Sequence, residues 1–159
     1  MDYSQVFFLE AMNGAAADVS GRVTPASIYA MIDQTLGAWD QRPIYKANVQ
    51  NFITLRQTVP KVPLETLRNL HKLFPSPTSV YKLDPSFEPD RGEEAQKLKP
   101  IPVNEDNVRI YRQLQKCFQN GLVLPVDQPY MWHAAVYSTG CRLTALGAHY
   151  RKLAEAKKV

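Results

Sequence analysis

The chain has no apolar run near the roughly twenty residues needed to cross a bilayer, and its N-terminus lacks the basic-then-apolar order of a secretion signal. A soluble, cytoplasmic protein with no membrane contact is therefore expected. Cysteine is scarce: Cys117 and Cys141 are the only two, which excludes a disulfide scaffold and favours reduced thiols. Glycine is scarce as well, seven residues with none in the spacing of a P-loop or a dinucleotide turn. Three histidines, His71, His133 and His149, stand apart without ligand spacing, so neither a metal nor a cofactor is indicated. Asp18 and Ser20 lack the further oxygen ligands and the closing glutamate of a calcium loop, which leaves a plain turn.

What is present is an ordinary globular composition with a high proline load. Hydrophobic residues make up 45% and charged residues 21% of 159, enough for one domain or two small ones. Twelve prolines imply short elements joined by rigid connections. A net charge of +4 permits an acidic partner, although a modest excess of this kind ordinarily serves solubility.

Tyr3 to Met12, YSQVFFLEAM, reads as a helix apolar on every side, and such a helix should be largely buried; Gly14 is placed to end it. Asp18, Ser20 and Gly21 give a turn and Arg22-Val23 a short extended segment. Thr24-Pro25 starts a second helix, with Ile28, Met31, Ile32 and Leu36 at helical spacing and Gly37 as its stop. The β-branched and aromatic residues of VQNFITLR, 49–56, favour a strand.

Several of these pieces occur in an order that resembles the C-terminal part of bacterial caspase-like proteins: FFLEAM, Gly14 to Asp18, Gly21 to Thr24, Ile28-Tyr29 and Gln41 to Pro43. The resemblance spans Tyr3 to Arg56, about a third of the chain, and implies the small-subunit half of an α/β caspase-like sheet. In that family the nucleophilic cysteine and its histidine lie upstream. No His-Gly and no acidic-x-Cys-His-Ser-Gly motif is found here, so no catalytic residue carries over.

Val62 to Phe74 forms an amphipathic helix with Pro63 near its first turn. From Pro75 to Pro102 the prolines exclude a long helix or an inner strand, and RGEEAQKLK should be exposed and mobile. Asn104 caps a longer helix to Asn120, with Val108, Tyr111, Leu114, Cys117 and Phe118 inward. GLVLPV and YMWHAAVYS then read as two strands around Asp127-Gln128-Pro129, followed by a terminal helix capped by Thr144. Helix, hairpin and a helix opening on Arg-Leu-Thr-Ala-Leu-Gly resemble the second half of a winged-helix domain.

The expected fold is thus mixed α/β, or α+β: a caspase-like fragment over 1–60 joined to a winged-helix-like module over 61–159 that includes the proline-rich loop 75–102. Cys117 falls on an apolar helix face, where a thiol is an inert small hydrophobe. Cys141 beside Arg142 is the better candidate for a functional thiol in a cysteine peptidase with an unrecognised dyad. Arg109, Arg112, Lys116, Arg142, Arg151 and Lys152 are the candidates for phosphate contact with DNA, with 127–130 as the wing. Tyr130 and Trp132 are the candidate protein-binding pair. The leading expectation is a non-catalytic interaction module that binds a protein partner or forms a homo-oligomer, because scaffold residues are present without a nucleophile.

Overall fold

The structure, a computed structural model, describes residues 3–37, 40, 44–48 and 53–159. Helices and two small antiparallel sheets make a mixed architecture, and backbone contacts divide it into two compact units, Met1–Pro63 and Leu64–Val159.

In the first unit, α1 (Tyr3–Glu10) runs into a wider helical turn, Ala11–Ala15, which breaks at Gly14 with φ of 118°. Only glycine takes that conformation at little cost, so the expected stop is where the backbone leaves the helix. The next turn is held by Asp18, whose Oδ1 accepts from Ser20 Oγ at 2.6 Å and from the Arg22 amide at 3.0 Å. These oxygens are consumed by protein donors. Strand β1 (Arg22–Val23) pairs antiparallel with β2 (Arg56–Gln57). Between them α2 (Pro25–Thr35) begins as expected at Thr24: Thr24 Oγ1 accepts from the Ser27 amide at 3.1 Å, and Ser27 Oγ in turn accepts from the Thr24 amide at 3.0 Å. The unit's core is small, with Ala11, Ala16, Val23 and Ile28 buried and Met12, Ala17, Met31 and Ile32 packed around them.

Two expectations for this unit need correction. Helix α1 forms, but it is not buried: Phe8 is 47% and Leu9 53% exposed. The strand expected over 49–56 begins only at Arg56, and residues 49–52 lie outside the described ones, as does the Gln41 to Pro43 element.

The second unit is built around a three-stranded sheet of order β3-β5-β4, where β3 is Val80–Tyr81, β4 Val123–Pro125 and β5 Cys141–Leu143. Central β5 alternates buried Cys141, exposed Arg142 and buried Leu143, the period-2 signature of a half-covered strand. Helix α3 (Leu64–Leu73) packs along α7 (Ala145–Glu155), and α5 (Glu105–Gln119) turns Val108, Tyr111, Leu114 and Cys117 inward. Both caps read from sequence are present: Asn104 Oδ1 accepts from the Asp106 and Asn107 amides, and Thr144 Oγ1 from the Gly147 amide.

Here too the structure departs from expectation. The proline-rich segment has no long helix or inner strand, as expected, but it carries short elements, and RGEEAQKLK, largely exposed, is helical. Asp84 caps a 3-10 turn at Pro85–Phe87 that is buried throughout, and its first residue is a proline, which has no amide hydrogen to lose there. RGEEAQKLK carries α4 (Gly92–Leu98), anchored by buried Ala95 and by Arg91, whose Nη1 donates to the Ile101 carbonyl at 2.7 Å. The segment expected as a second hairpin strand is instead helix α6 (Met131–Val136), and the antiparallel partner of β4 is β5. Met131, Ala134 and Ala135 are buried at i, i+3 and i+4, a helical stripe that the aromatic content of the segment masks.

Candidate interaction surfaces

Sequence reasoning places Tyr130 and Trp132 on one face, as a strand would. A helix does not: residues two apart diverge by about 200°. Trp132 is half-buried and its indole N–H donates to the Asp90 carbonyl at 3.0 Å, which makes it an anchor of α6 rather than a free contact residue. The exposed partner of Tyr130 (61%) is Tyr137 (52%), about two turns along. His133 stands between them, its ring centroid 5.8 Å from Tyr130 and 6.1 Å from Tyr137, with the His133 and Tyr137 planes only 20° apart. Trp132 meets the same imidazole edge-on at 5.0 Å. The spacing 130, 133, 137 carries the signal that a helical reading would have found.

The six candidate cations are dispersed by the fold. Arg109, Arg112 and Lys116 share the exposed face of α5, where Arg109 pairs with Asp106. Such an exposed pair contributes about 0–1 kcal/mol. Arg142 lies on the outer face of the sheet, in register between exposed Val80 and Leu124, and Lys152 is exposed on α7. Arg151 does not belong with them. It is 7% exposed, and its guanidinium donates to the Phe74 and Pro75 carbonyls and to Glu155. Those bonds close the C-terminal end of α3, leaving Arg151 no access to a phosphate backbone.

The two thiols lie in the core, both fully buried. Burial pushes Cys117 up to about 12, and burial with the proximity of Cys117 pushes Cys141 up to about 12. About one thiol in 10⁵ is then ionised at neutral pH, the reverse of what a nucleophile needs. Among the described residues no imidazole shares a hydrogen bond with either thiol, and no group of histidine, cysteine and carboxylate side chains has metal-binding geometry. A thiol-reactive probe at pH 7 should label the folded chain at about a hundredth of its rate in urea or less. The unfolded state ionises first, so this contribution to stability is full below pH 9 and is lost as pH rises toward about 12. Rapid labelling of the folded chain, or a urea midpoint that does not fall through that window, would contradict the burial.

The first unit offers the least satisfied surface. Phe7, Phe8 and Leu9 project about 100° apart around α1, and among the described residues α1 packs chiefly against the turn that follows it and against α2. Val6, Ile44, Ile53, Leu55 and Val59 are exposed in the same unit. Between the Gly14 turn and β2 an open cleft of about 540 Å³ is lined by Asn13, Gly14, Ala17 and 56–59, with Arg56 Nη1 donating to Asn13 Oδ1 at 3.3 Å. No helix among the described residues is long and apolar enough to cross a membrane, so this exposure does not mark a spanning helix. No family model, no curated protein and no solved structure matches the chain.

Proposed function

We propose that the chain is a non-catalytic interaction module whose first unit is completed by another polypeptide, in the simplest case a second copy of itself. The observation that carries this is α1: a helix apolar on every face, of which Phe8 and Leu9 remain about half exposed. A helix of that pattern belongs in an interior, whereas here it rests against the turn that follows it and α2, outside the small core around Val23 and Ile28. The likeness to the small-subunit part of a caspase-like scaffold agrees, since there the corresponding helix lies against a sheet. Covering Phe8 and Leu9 would contribute about 2 kcal/mol for the pair from apolar area alone.

The second unit supports the same reading from a different side. Up to β5, and leaving aside the short 3-10 turn and α6, its order of helix, strand, two helices, strand and strand, with β5 between β3 and β4, is compatible with winged-helix wiring in which 126–140 takes the place of the wing and α7 follows it. That place holds α6, flanked by exposed Tyr130 and Tyr137 with half-buried His133 between them, rather than a basic hairpin. Aromatic side chains with few rotatable bonds suit protein contact.

The test is the double variant Phe8→Glu/Leu9→Glu in sedimentation equilibrium. Self-association should weaken about 100-fold, or about 2.7 kcal/mol. Equal association of variant and parent would remove the proposal.

A further inference from the structure

Strand β2 has one edge without a partner. Its sheet has two strands, and among the described residues β1 is the only strand that pairs with it. The Thr58 amide donates across that pair to the Gly21 carbonyl at 2.7 Å, which turns Gln57 and Val59, on either side of it, toward the opposite edge. The free edge is bounded at both ends. The Leu55 amide turns back to the Val23 carbonyl at 2.8 Å although the register sets Val23 against Arg56, so residues 55 and 56 form a bulge. Beyond Val59, Pro60 has no amide hydrogen, and the Lys61 amide returns to the Val19 carbonyl at 3.1 Å. Gln57 and Val59 are left to offer main-chain groups outward, and both are exposed, Val59 by 89%. The open cleft of about 540 Å³ borders the same stretch, 56–59.

An unpaired edge of this kind is a template for another strand. What fits it is a strand with the same pattern, two outward residues with one between them, and a second copy of the chain supplies that pattern. Antiparallel pairing about a two-fold axis can bring the outward residues together in three registers. With Gln57 opposite Gln57, Val59 falls against the bulge at Leu55, whose amide is committed to Val23. With Val59 opposite Val59, Gln57 falls against Lys61, whose amide is committed to Val19. Only with Gln57 opposite Val59 is every outward amide and carbonyl paired, in two closed rings. Thr58 then lies on the axis beside Thr58 of the second copy, a favourable cross-strand pair, and Arg56 lies opposite Pro60 rather than another cation. Net charge does not oppose the approach of two first units: Met1–Pro63 holds five Lys and Arg and five Asp and Glu, whereas Leu64–Val159 holds fourteen against ten. The pairing occupies the edge of each copy, so assembly closes at two.

We propose that two copies of the chain join along β2, antiparallel, with Thr58 on the two-fold axis. The inference rests on the reading that a second copy completes the first unit, and it names where the copies meet. The turn that ends α1 adjoins this strand, Arg56 Nη1 donating to Asn13 Oδ1, so the pairing brings the second copy to the unit that carries Phe8 and Leu9.

Cross-linking of single-cysteine variants of the full chain under mild oxidation provides the test. Two Thr58 residues opposed as a non-hydrogen-bonded pair stand about 4.5 Å apart at Cα, within reach of a disulfide. Thr58→Cys should therefore cross-link two copies. Val59→Cys should do so at least about tenfold more slowly, because two Val59 residues are offset by about 7 Å along the strands in addition to the spacing between them. Collision alone would give the reverse order, since Val59 is the more exposed. Cys117 and Cys141 are fully buried and stay silent. In the unsubstituted chain, the Gln57 and Val59 amides should exchange with solvent at least about tenfold more slowly when the copies associate than when they are dilute. Equal cross-linking of the two variants, or unchanged exchange at Gln57 and Val59 in a chain that does associate, would overturn the β2 pairing and leave the α1 reading standing. A parent chain that stays monomeric would remove both.

Discussion

Gly147→Ala should destabilise the second unit by about 3 kcal/mol or more, although an alanine in place of a helical glycine ordinarily stabilises by about 1 kcal/mol. The reversal has a geometric cause. A Cβ at Gly147 would stand 1.9 Å from the Leu122 carbonyl oxygen and 2.9 Å from its carbon. That carbonyl cannot retreat, because it accepts from the Thr144 amide at 3.0 Å and from Thr144 Oγ1 at 3.2 Å. The first turn of α7 would have to lift off the segment that leads into β4, giving up the Thr144 cap that orders it. The Leu-Thr-Ala-Leu-Gly run therefore has a physical reason: threonine caps the helix and clamps the incoming strand, and glycine lets the two backbones touch. Urea unfolding followed by circular dichroism should show a lower midpoint with an unchanged slope. A midpoint equal to or above that of the parent would contradict the close approach.

The second large effect is expected at the other end of the same helix. Arg151→Ala should cost about 3–4 kcal/mol, as breaking a buried charged network commonly does. Arg151 Nε donates to the Phe74 carbonyl at 2.6 Å and Nη2 to that of Pro75, two groups that follow α3. Without the guanidinium those carbonyls lose a charged donor in a place where water has little access. Glu155 contributes less, since its side chain is 59% exposed and the pair is partly screened. Arg151→Lys should recover only part of the loss, because an ammonium cannot fork to two carbonyls from one position. Equal stability of Arg151→Ala and the parent would mean that this anchor does not operate.

These two positions show which parts of the molecule the amino-acid order discloses and which it does not. Helix starts at Thr24, Asn104 and Thr144 were legible because a cap is a local event, settled by one side-chain oxygen and the amides two or three residues on. The amphipathic faces of α3 and α5 were legible for the same reason. Whether a cation is buried is not local: Arg151 and Lys152 are neighbours in sequence, yet only the first meets the carbonyls that follow α3. Helix α6 was lost to composition, since Tyr, Trp and Val favour strands while burial at 131, 134 and 135 sets a helical period. That error displaced the candidate contact pair from Tyr130 and Tyr137 to Tyr130 and Trp132. The proline-rich segment misled in the opposite sense. Prolines that forbid long elements still start short ones, and Pro85 does so beneath the Asp84 cap.

Helix α1 holds the functional reading together, since its apolar character was legible and its exposure was not. The direct measurement is static light scattering of the intact chain over a concentration series at neutral pH. The mass should rise from 18.0 kDa toward twice that value, and Phe8→Glu/Leu9→Glu should hold it at the lower one. A parent chain that stays at 18.0 kDa throughout would show that α1 tolerates water and that no second copy covers it.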